Sequence, residues 1–232
     1  MANSIFSQTL LALTLVFSCL CLADAHAGVA LGATRVVYPS DQKQVSLAVS
    51  NSDTKGRYLV YSWIENSEGE KDSRFVITPP LLVMDGKKEN ILRIIDATNG
   101  SLPKDRESLF WITVKAIPSM DKSKEKENTL QLAISSRIKL LYRPIGLKSV
   151  SHKAYEQLRF SSGEGLLTVI NPTPYYLTLT ELSMGNRALG NVMVSPKDTA
   201  SVKLPEGSTG EIVYQTVNDY GALTPKIKGI AK

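Results

Sequence analysis

Few side chains in this 232-residue chain have the types and spacing that catalysis needs. Its two cysteines are Cys19 and Cys21, and its two histidines are His26 and His152. All but His152 fall in the first 27 residues, which read as a removable leader. A Ser-His-Asp site would have to be built on His152 alone, and no G-x-S-x-G accompanies it. Zinc sites need several His or Cys ligands, which are missing. No glycine-rich phosphate loop is present. Paired carboxylates for glycoside hydrolysis meet only in a fold, and nothing in the sequence points to such a pair. What does stand out is residues 130–144, "LQLAISSRIKLLYRP". Leu130, Leu132, Ile134, Ser136, Ile138, Leu140 and Tyr142 share one parity; Gln131, Ala133, Ser135, Arg137, Lys139 and Arg143 share the other. In a strand this gives one oily face and one basic face. The chemistry on offer is binding rather than catalysis, and no cofactor is called for.

The leader decides the compartment. Residues 9–23, "TLLALTLVFSCLCLA", form an apolar run of signal-peptide length, short for a membrane span. Ala25-His26-Ala27 is an A-x-A pattern, which places the cut between Ala27 and Gly28, with a cut after Ala25 as the second reading. The mature chain would then have no cysteine, and in an oxidising export compartment it would rely on core packing alone. The bacterial periplasm suits this best. Charge is mildly basic, +5 overall. Loss of Asp24 leaves 27 cations against 21 acids, spread among one another and without a nucleic-acid motif, so no nucleic-acid partner is expected.

The elements are strands. Segments "TRVVYP", "QVSLAVSN", "RYLVYSWIEN", "RFVITPP", "NILRIIDA" and "SLFWITVKAIP", with residues 130–144, make about seven, separated by turn signals such as "SEGE", "DGKKEN" and "NGSLPKD". This is the pattern of an immunoglobulin-like antiparallel sandwich without a disulfide. The sequon Asn99-Gly100-Ser101 is read as an Asn-Gly turn. "DKSKEKEN" (121–128) reads as a solvated hairpin loop, and residues 144–157 as a linker. "LRFSSGEGLLTVINPTPYYLTLTELSM", "VMVSPKDTASVKLP" and "GEIVYQTVNDYG" then form a second, smaller all-β domain. The expected division is a signal peptide over 1–27, an N-terminal domain over 28–147 and a C-terminal domain over 148–232. Thr78-Pro79-Pro80 and Thr173-Pro174 are sites where a cis peptide is open.

Residues 102–118, "LPKDRESLFWITVKAIP", resemble the signature of the periplasmic pilus-assembly chaperones, the PapD-like family; "IKLLYRP", "INPTPYYLT" and "NDYGALTP" resemble its other shared segments. The similarity runs across essentially the whole mature chain and is nearest to the type 1 pilus branch and its fimbrial relatives. One departure is Thr113, where the signature usually has Asn or Cys; Thr suits a strand, so tolerance is expected.

The resemblance implies two immunoglobulin-like domains set in an L with a cleft between them. It implies a chaperone that lends its last N-domain strand to a pilus subunit and delivers the subunit to an outer-membrane usher. Leu130, Leu132 and Ile134 match the positions that enter the subunit's groove. Arg35 and Lys139 match a pair that anchors the subunit's C-terminal carboxylate. Glu107, Arg143 and Asp219 match a salt-bridge set between the domains. Residue chemistry agrees with the anchor. Two cations held at a domain junction are costly until an anion arrives, and each charge-assisted hydrogen bond to a carboxylate contributes about 1.5–3 kcal/mol. The competing readings are a structural fimbrial subunit or adhesin, which would carry a cysteine pair and an N-terminal donor segment, and a secreted β-sandwich hydrolase.

Overall fold

The structure is a computed structural model that describes residues 28–120, 130–147 and 151–229. The expected leader and the loop 121–128 therefore lie outside the described residues. The regular structure of the described residues is almost all strand, with short 3-10 turns.

The first nine strands form one sandwich. One sheet has the order β1-β3-β7-β5, from β1 (Val29–Leu31), β3 (Gln44–Asn51), β7 (Glu89–Asp96) and β5 (Phe75–Thr78). The other has the order β2-β9-β8-β4-β6, from β2 (Arg35–Pro39), β9 (Ile134–Arg143), β8 (Ser108–Pro118), β4 (Tyr58–Glu65) and β6 (Leu81–Met84). Period-2 patterning chose the faces: Val60, Ser62 and Ile64 of β4 turn inward, as do Leu47 and Val49 of β3. Between the sheets Tyr38, Phe75, Phe110 and Tyr142 cluster, with Phe75 edge-on to Phe110 at 4.8 Å between centroids. Such pairs add about 0.5–1.5 kcal/mol beyond the area they bury.

The seven expected strands are joined by two more, β1 and β6. In β6, "LLVM" is apolar throughout, so it carries no alternation to read, although Leu81 and Val83 are exposed and Met84 is buried. The Asn99-Gly100 turn is present: both residues have positive φ (51° and 73°), and Ser101 N–H donates to Thr98 O at 3.0 Å. The cis peptide bond is Thr78–Pro79.

Residues 130–144 do not form one long strand. The β8–β9 ladder begins with the pair Ala116↔Ile134. Beyond it β8 reaches Pro118, which has no N–H to extend the ladder. Residues 130–133 run alongside without regular pairing, the Gln131 side chain donating to Pro118 O.

The segment read as a linker forms two 3-10 turns, Ile145–Leu147 and Ser151–Gln157. Ala154 is fully buried in the core of the second sandwich. That sandwich packs the sheet β10-β11-β14 against the sheet β13-β12-β15-β16, from β10 (Arg159–Gly163), β11 (Leu166–Asn171), β12 (Leu177–Met184), β13 (Arg187–Val194), β14 (Asp198–Lys203), β15 (Ile212–Thr216) and β16 (Ile227–Gly229). Each sandwich has a buried asparagine at the end of a strand. Asn51 Nδ2 donates to Gly56 O and Asp85 O, and Asn171 Nδ2 donates to Tyr175 O and Ser195 O. Both satisfy carbonyls of loops that no ladder reaches.

Candidate functional site: an inter-sandwich cleft and an open strand edge

The site begins with a register. β2 lies parallel to β9, and Arg35 pairs with Lys139, Val37 with Leu141 and Pro39 with Arg143. Two cations 104 positions apart in sequence thus become lateral neighbours on one sheet. Both reach across to the second sandwich. Arg35 Nη1 donates to Val217 O at 3.0 Å, and Lys139 Nζ donates to Thr178 Oγ1 at 2.6 Å. Val217 and Thr178 are themselves joined, Val217 N–H donating to Thr178 O at 3.1 Å.

The pair is electrostatically unfinished. Burial pulls the Lys139 ammonium down to about 8, and the positive charge of Arg35 adds to the effect. Burial also lowers Arg35, against the attraction of Asp219 and Glu107. Arg35 Nε is buried with no hydrogen-bond partner among the described residues. Lys139 retains ammonium protons beyond the one given to Thr178. The arrangement offers several N–H groups, in a partly desolvated place, to one incoming anion.

Arg143, two positions beyond Leu141 on the same face of β9, is by contrast satisfied. Its Nε donates to Glu107 Oε1 at 2.6 Å, and Nη1 and Nη2 bind Asp219 bidentately at 2.6 and 2.7 Å. Ser151 Oγ touches both Arg143 and Asp219 at 3.2 Å, and the guanidinium lies over the Tyr175 ring. Glu107 completes the crossing: its Oε2 accepts Tyr176 N–H at 2.8 Å, and its own N–H donates to Pro174 O. Burial pushes the Glu107 carboxyl up while Arg143 and the Tyr176 N–H pull it down. At Asp219 burial is outweighed by the Arg143 hydrogen bonds, and the carboxyl stays below its ordinary range. All three residues named from the sequence meet, one pair of oxygens and one cation from the first sandwich and a carboxylate from the second.

The three positions expected to donate stand on the open side. β2 covers β9 only over Lys139–Arg143, so the stretch from Ile134 to Ile138 has no strand beside it on that edge. Leu130, Leu132 and Ile134 are 84%, 68% and 60% exposed, while Leu140 on the same parity is fully buried. Arg137, left without a role in the sequence, pairs with Glu65 at 2.8 Å and stacks on Trp111. Thr113 sits buried in β8, its hydroxyl without a hydrogen-bond partner. His152 is exposed.

Beside Arg35 the cleft deepens into a cavity of about 250 Å³ between the sandwiches, lined by Leu141, Tyr175, Leu177, Tyr220 and Leu223 among others. Thr178 and Val217, which hold the two cations, were not singled out in the sequence. The alternation in "YYLTLTEL" puts Thr178 on an outward face, but only the fold says what that face meets.

Known proteins decide the family. Residues 28–148 match the pili and flagellar-assembly chaperone PapD N-terminal domain, and residues 153–228 match the pili assembly chaperone PapD C-terminal domain. The chain belongs to the PapD-like pilus-assembly chaperones. It is 62% identical over 212 residues to the chaperone protein FocC of Escherichia coli, covering 91% of this chain and 93% of FocC. The crystal structure of the periplasmic chaperone SfaE superposes with a TM-score of 0.79 at 58% identity, covering 88% of this chain and all of that one. The SafB chaperone of Salmonella enterica, solved in complex with SafA pilin, superposes at 0.80 with 30% identity, covering 89% of this chain and 97% of that one. The chaperone family is not one of enzymes, and these relatives are chaperones rather than structural subunits or hydrolases.

Proposed function

We propose that this chaperone works in the periplasm, holds pilus subunits by lending them the open edge of β9, and hands them to an outer-membrane usher. The observation that carries the reading is the Arg35↔Lys139 register beside that open edge. A strand added to Ile134–Ile138 would lie in the same lane as β2. If its C-terminus is to reach Arg35, it must run parallel to β9, as β2 does. Main-chain hydrogen bonds would then give affinity, and Leu130, Leu132 and Ile134, alternating along one face, would fill the partner's groove. The terminal carboxylate would take hydrogen bonds from Arg35 and Lys139. The Glu107–Arg143–Asp219 set would fix the angle between the sandwiches, so that the two cations stay at the cleft.

In this reading residues 28–147 and 148–232 are the two working domains, and residues 1–27 are the export signal, cut between Ala27 and Gly28. The complex of SafB with SafA pilin is consistent with a pilus subunit as the partner. The test is purification of the tagged chaperone from periplasm, with mass spectrometry of what comes with it and sequencing of its own N-terminus. Fimbrial subunits bound in equal amount, and a mature chain beginning at Gly28, are the expected result. A protein purified without such partners from a fimbriated strain would count against it.

A further inference from the structure

The open stretch of β9 carries a brace that neither the cation pair nor the Glu107–Arg143–Asp219 set requires. From Ile134 to Ile138 one edge is bare, and β8 supplies the ladder on the other. The inner face holds this stretch weakly, because Ile134 is exposed and Ser136 and Ile138 are only half-buried. A segment with so few buried contacts belongs to the low-stability end of a fold. An edge that must first be ordered also binds less tightly, since the ordering is subtracted from the binding energy.

Arg137 meets this need from the outer face. It lies opposite Thr113 in the β8–β9 register, and its side chain leans back diagonally across β8. The guanidinium sits 4.3 Å from the centroid of the Trp111 ring, and its Nε donates to Glu65 Oε2 of β4 at 2.8 Å. Glu65 is a fixed post. Its side chain is only 12% exposed, and its Oε1 accepts the Trp63 indole N–H at 2.7 Å. The turn that follows is closed by Asn66 Oδ1, which accepts the Glu68 and Glu70 N–H groups. That turn abuts the guanidinium: a Cβ at Gly69 would stand 3.5 Å from Arg137 Nη2. One side chain thus ties β9 to β8 and β4. Among the described residues no other side chain of 134–138 makes a hydrogen bond. Trp111 pairs with Lys139, the first residue of β9 that β2 covers, so the brace ends where the second neighbour begins. A partly exposed ion pair and a surface cation–π contact add little to global stability, so the effect of this brace is local.

We infer that Arg137 is a positioning residue: lying on Trp111 and bonded to Glu65, it holds residues 134–138 against β8 in the free chaperone, so that a subunit meets an edge already in register. The inference rests on the strand-lending reading above. The competing role for Arg137 is direct contact with the subunit, which would not depend on Glu65.

The experiment compares the whole mature chaperone with Arg137→Ala, Glu65→Gln and the double variant. Amide hydrogen exchange is followed by mass spectrometry, and affinity for a purified fimbrial subunit by titration calorimetry. Both single variants should keep the melting temperature within a few degrees. In both, the amides of 134–138 should exchange faster while those of 140–143 stay protected, and affinity should fall about fivefold. The double variant should bind no more weakly than Arg137→Ala, because the two residues act as one unit. Loss of affinity in Arg137→Ala alone, with exchange unchanged, would mean direct contact and overturn the inference. Faster exchange with unchanged affinity would overturn it as well. The lending reading is tested separately by exchange in the wild-type complex: if a bound subunit leaves the amides of 134–138 unprotected, that reading falls and the inference falls with it.

Discussion

Arg35 and Lys139 face each other across a parallel pair of strands, and each reaches over the cleft to one of two hydrogen-bonded neighbours, Val217 and Thr178. The cations are thus placed by both sandwiches, and among the described residues neither has an ion-pair partner in direct contact. Replacing either one should spare the fold. We expect Lys139→Ala and Arg35→Ala to keep the wild-type melting temperature within a few degrees and to weaken subunit capture by at least tenfold, the loss of about 1.5–3 kcal/mol per charge-assisted bond. Titration calorimetry with a purified subunit checks the affinity. Either variant binding as tightly as wild type would remove the anchor assignment.

The depressed Lys139 gives capture a pH dependence. Its folded value of about 8 lies below the ordinary lysine value of 10.5. Below about pH 8 the ammonium is charged in both the folded and the unfolded chain, and its desolvation cost is fully present. Between 8 and 10.5 the folded chain releases the proton first, so the free chaperone gains stability as pH rises through that window. Capture moves the other way, because the neutral amine no longer attracts a carboxylate. Affinity for a subunit should therefore fall between pH 7 and 9 in the wild type. In Lys139→Ala, already weak, that drop should be absent. A wild-type affinity flat across this range would show that Lys139 does not act as a charge.

Arg143 is predicted to behave differently from the anchor pair. Its carboxylate partner Glu107 has a side chain only 1% exposed, whereas Asp219 is 36% exposed. Removing Arg143 would leave a buried, uncompensated carboxylate, at a cost of about 3–5 kcal/mol. Asp219→Ala should cost less, because Arg143 keeps Glu107 and the exposed side can rehydrate. Urea unfolding of the two variants orders these costs, and an Asp219 variant less stable than the Arg143 variant would contradict the burial argument.

The sequence and the structure divide this site unevenly. Alternation was sufficient for most strands because one face of each meets a core, and period 2 records that directly. It failed at β6, apolar on both faces, and at the three-residue β1, too short to show a period. It also overran β9: residues 130–133 keep the alternating pattern, yet Pro118 ends the neighbouring ladder. The pattern there is no part of this chain's own core: Leu130 and Leu132 are 84% and 68% exposed. The pairing of Arg35 with Lys139 was legible only through family resemblance, since nothing local ties Arg35 to a lysine 104 residues on. Thr178 and Val217 were not legible at all, because they matter only through the packing of one sandwich on the other.

Ile134 is the position at which the proposed lent strand and a core strand predict different outcomes. It shares a parity with Leu140, but it is 60% exposed and Leu140 is fully buried. Ile134→Asp should leave the melting temperature of the free chaperone unchanged and reduce subunit capture severalfold, by placing a charge in an apolar groove. Leu140→Asp should instead prevent folding. Thermal scans paired with pull-down of a subunit separate the two. A large loss of stability in Ile134→Asp would return that residue to the core of its own domain.

Thr113 offers the opposite case, a substitution that should help. It is 4% exposed within β8, paired with Trp63 on one side and Arg137 on the other, and its hydroxyl has no hydrogen-bond partner. A buried unsatisfied hydroxyl costs about 1–3 kcal/mol. Valine has nearly the same shape and the same preference for strands. Thr113→Val should therefore raise stability by about 1 kcal/mol in urea unfolding, with the slope unchanged. Subunit affinity should not change, because the Thr113 position contributes to the ladder and not to the open edge of β9. A loss of stability in this variant would mean that the Thr113 hydroxyl is satisfied in solution, and the expected gain would then belong instead to Thr180, whose hydroxyl is likewise buried without a partner.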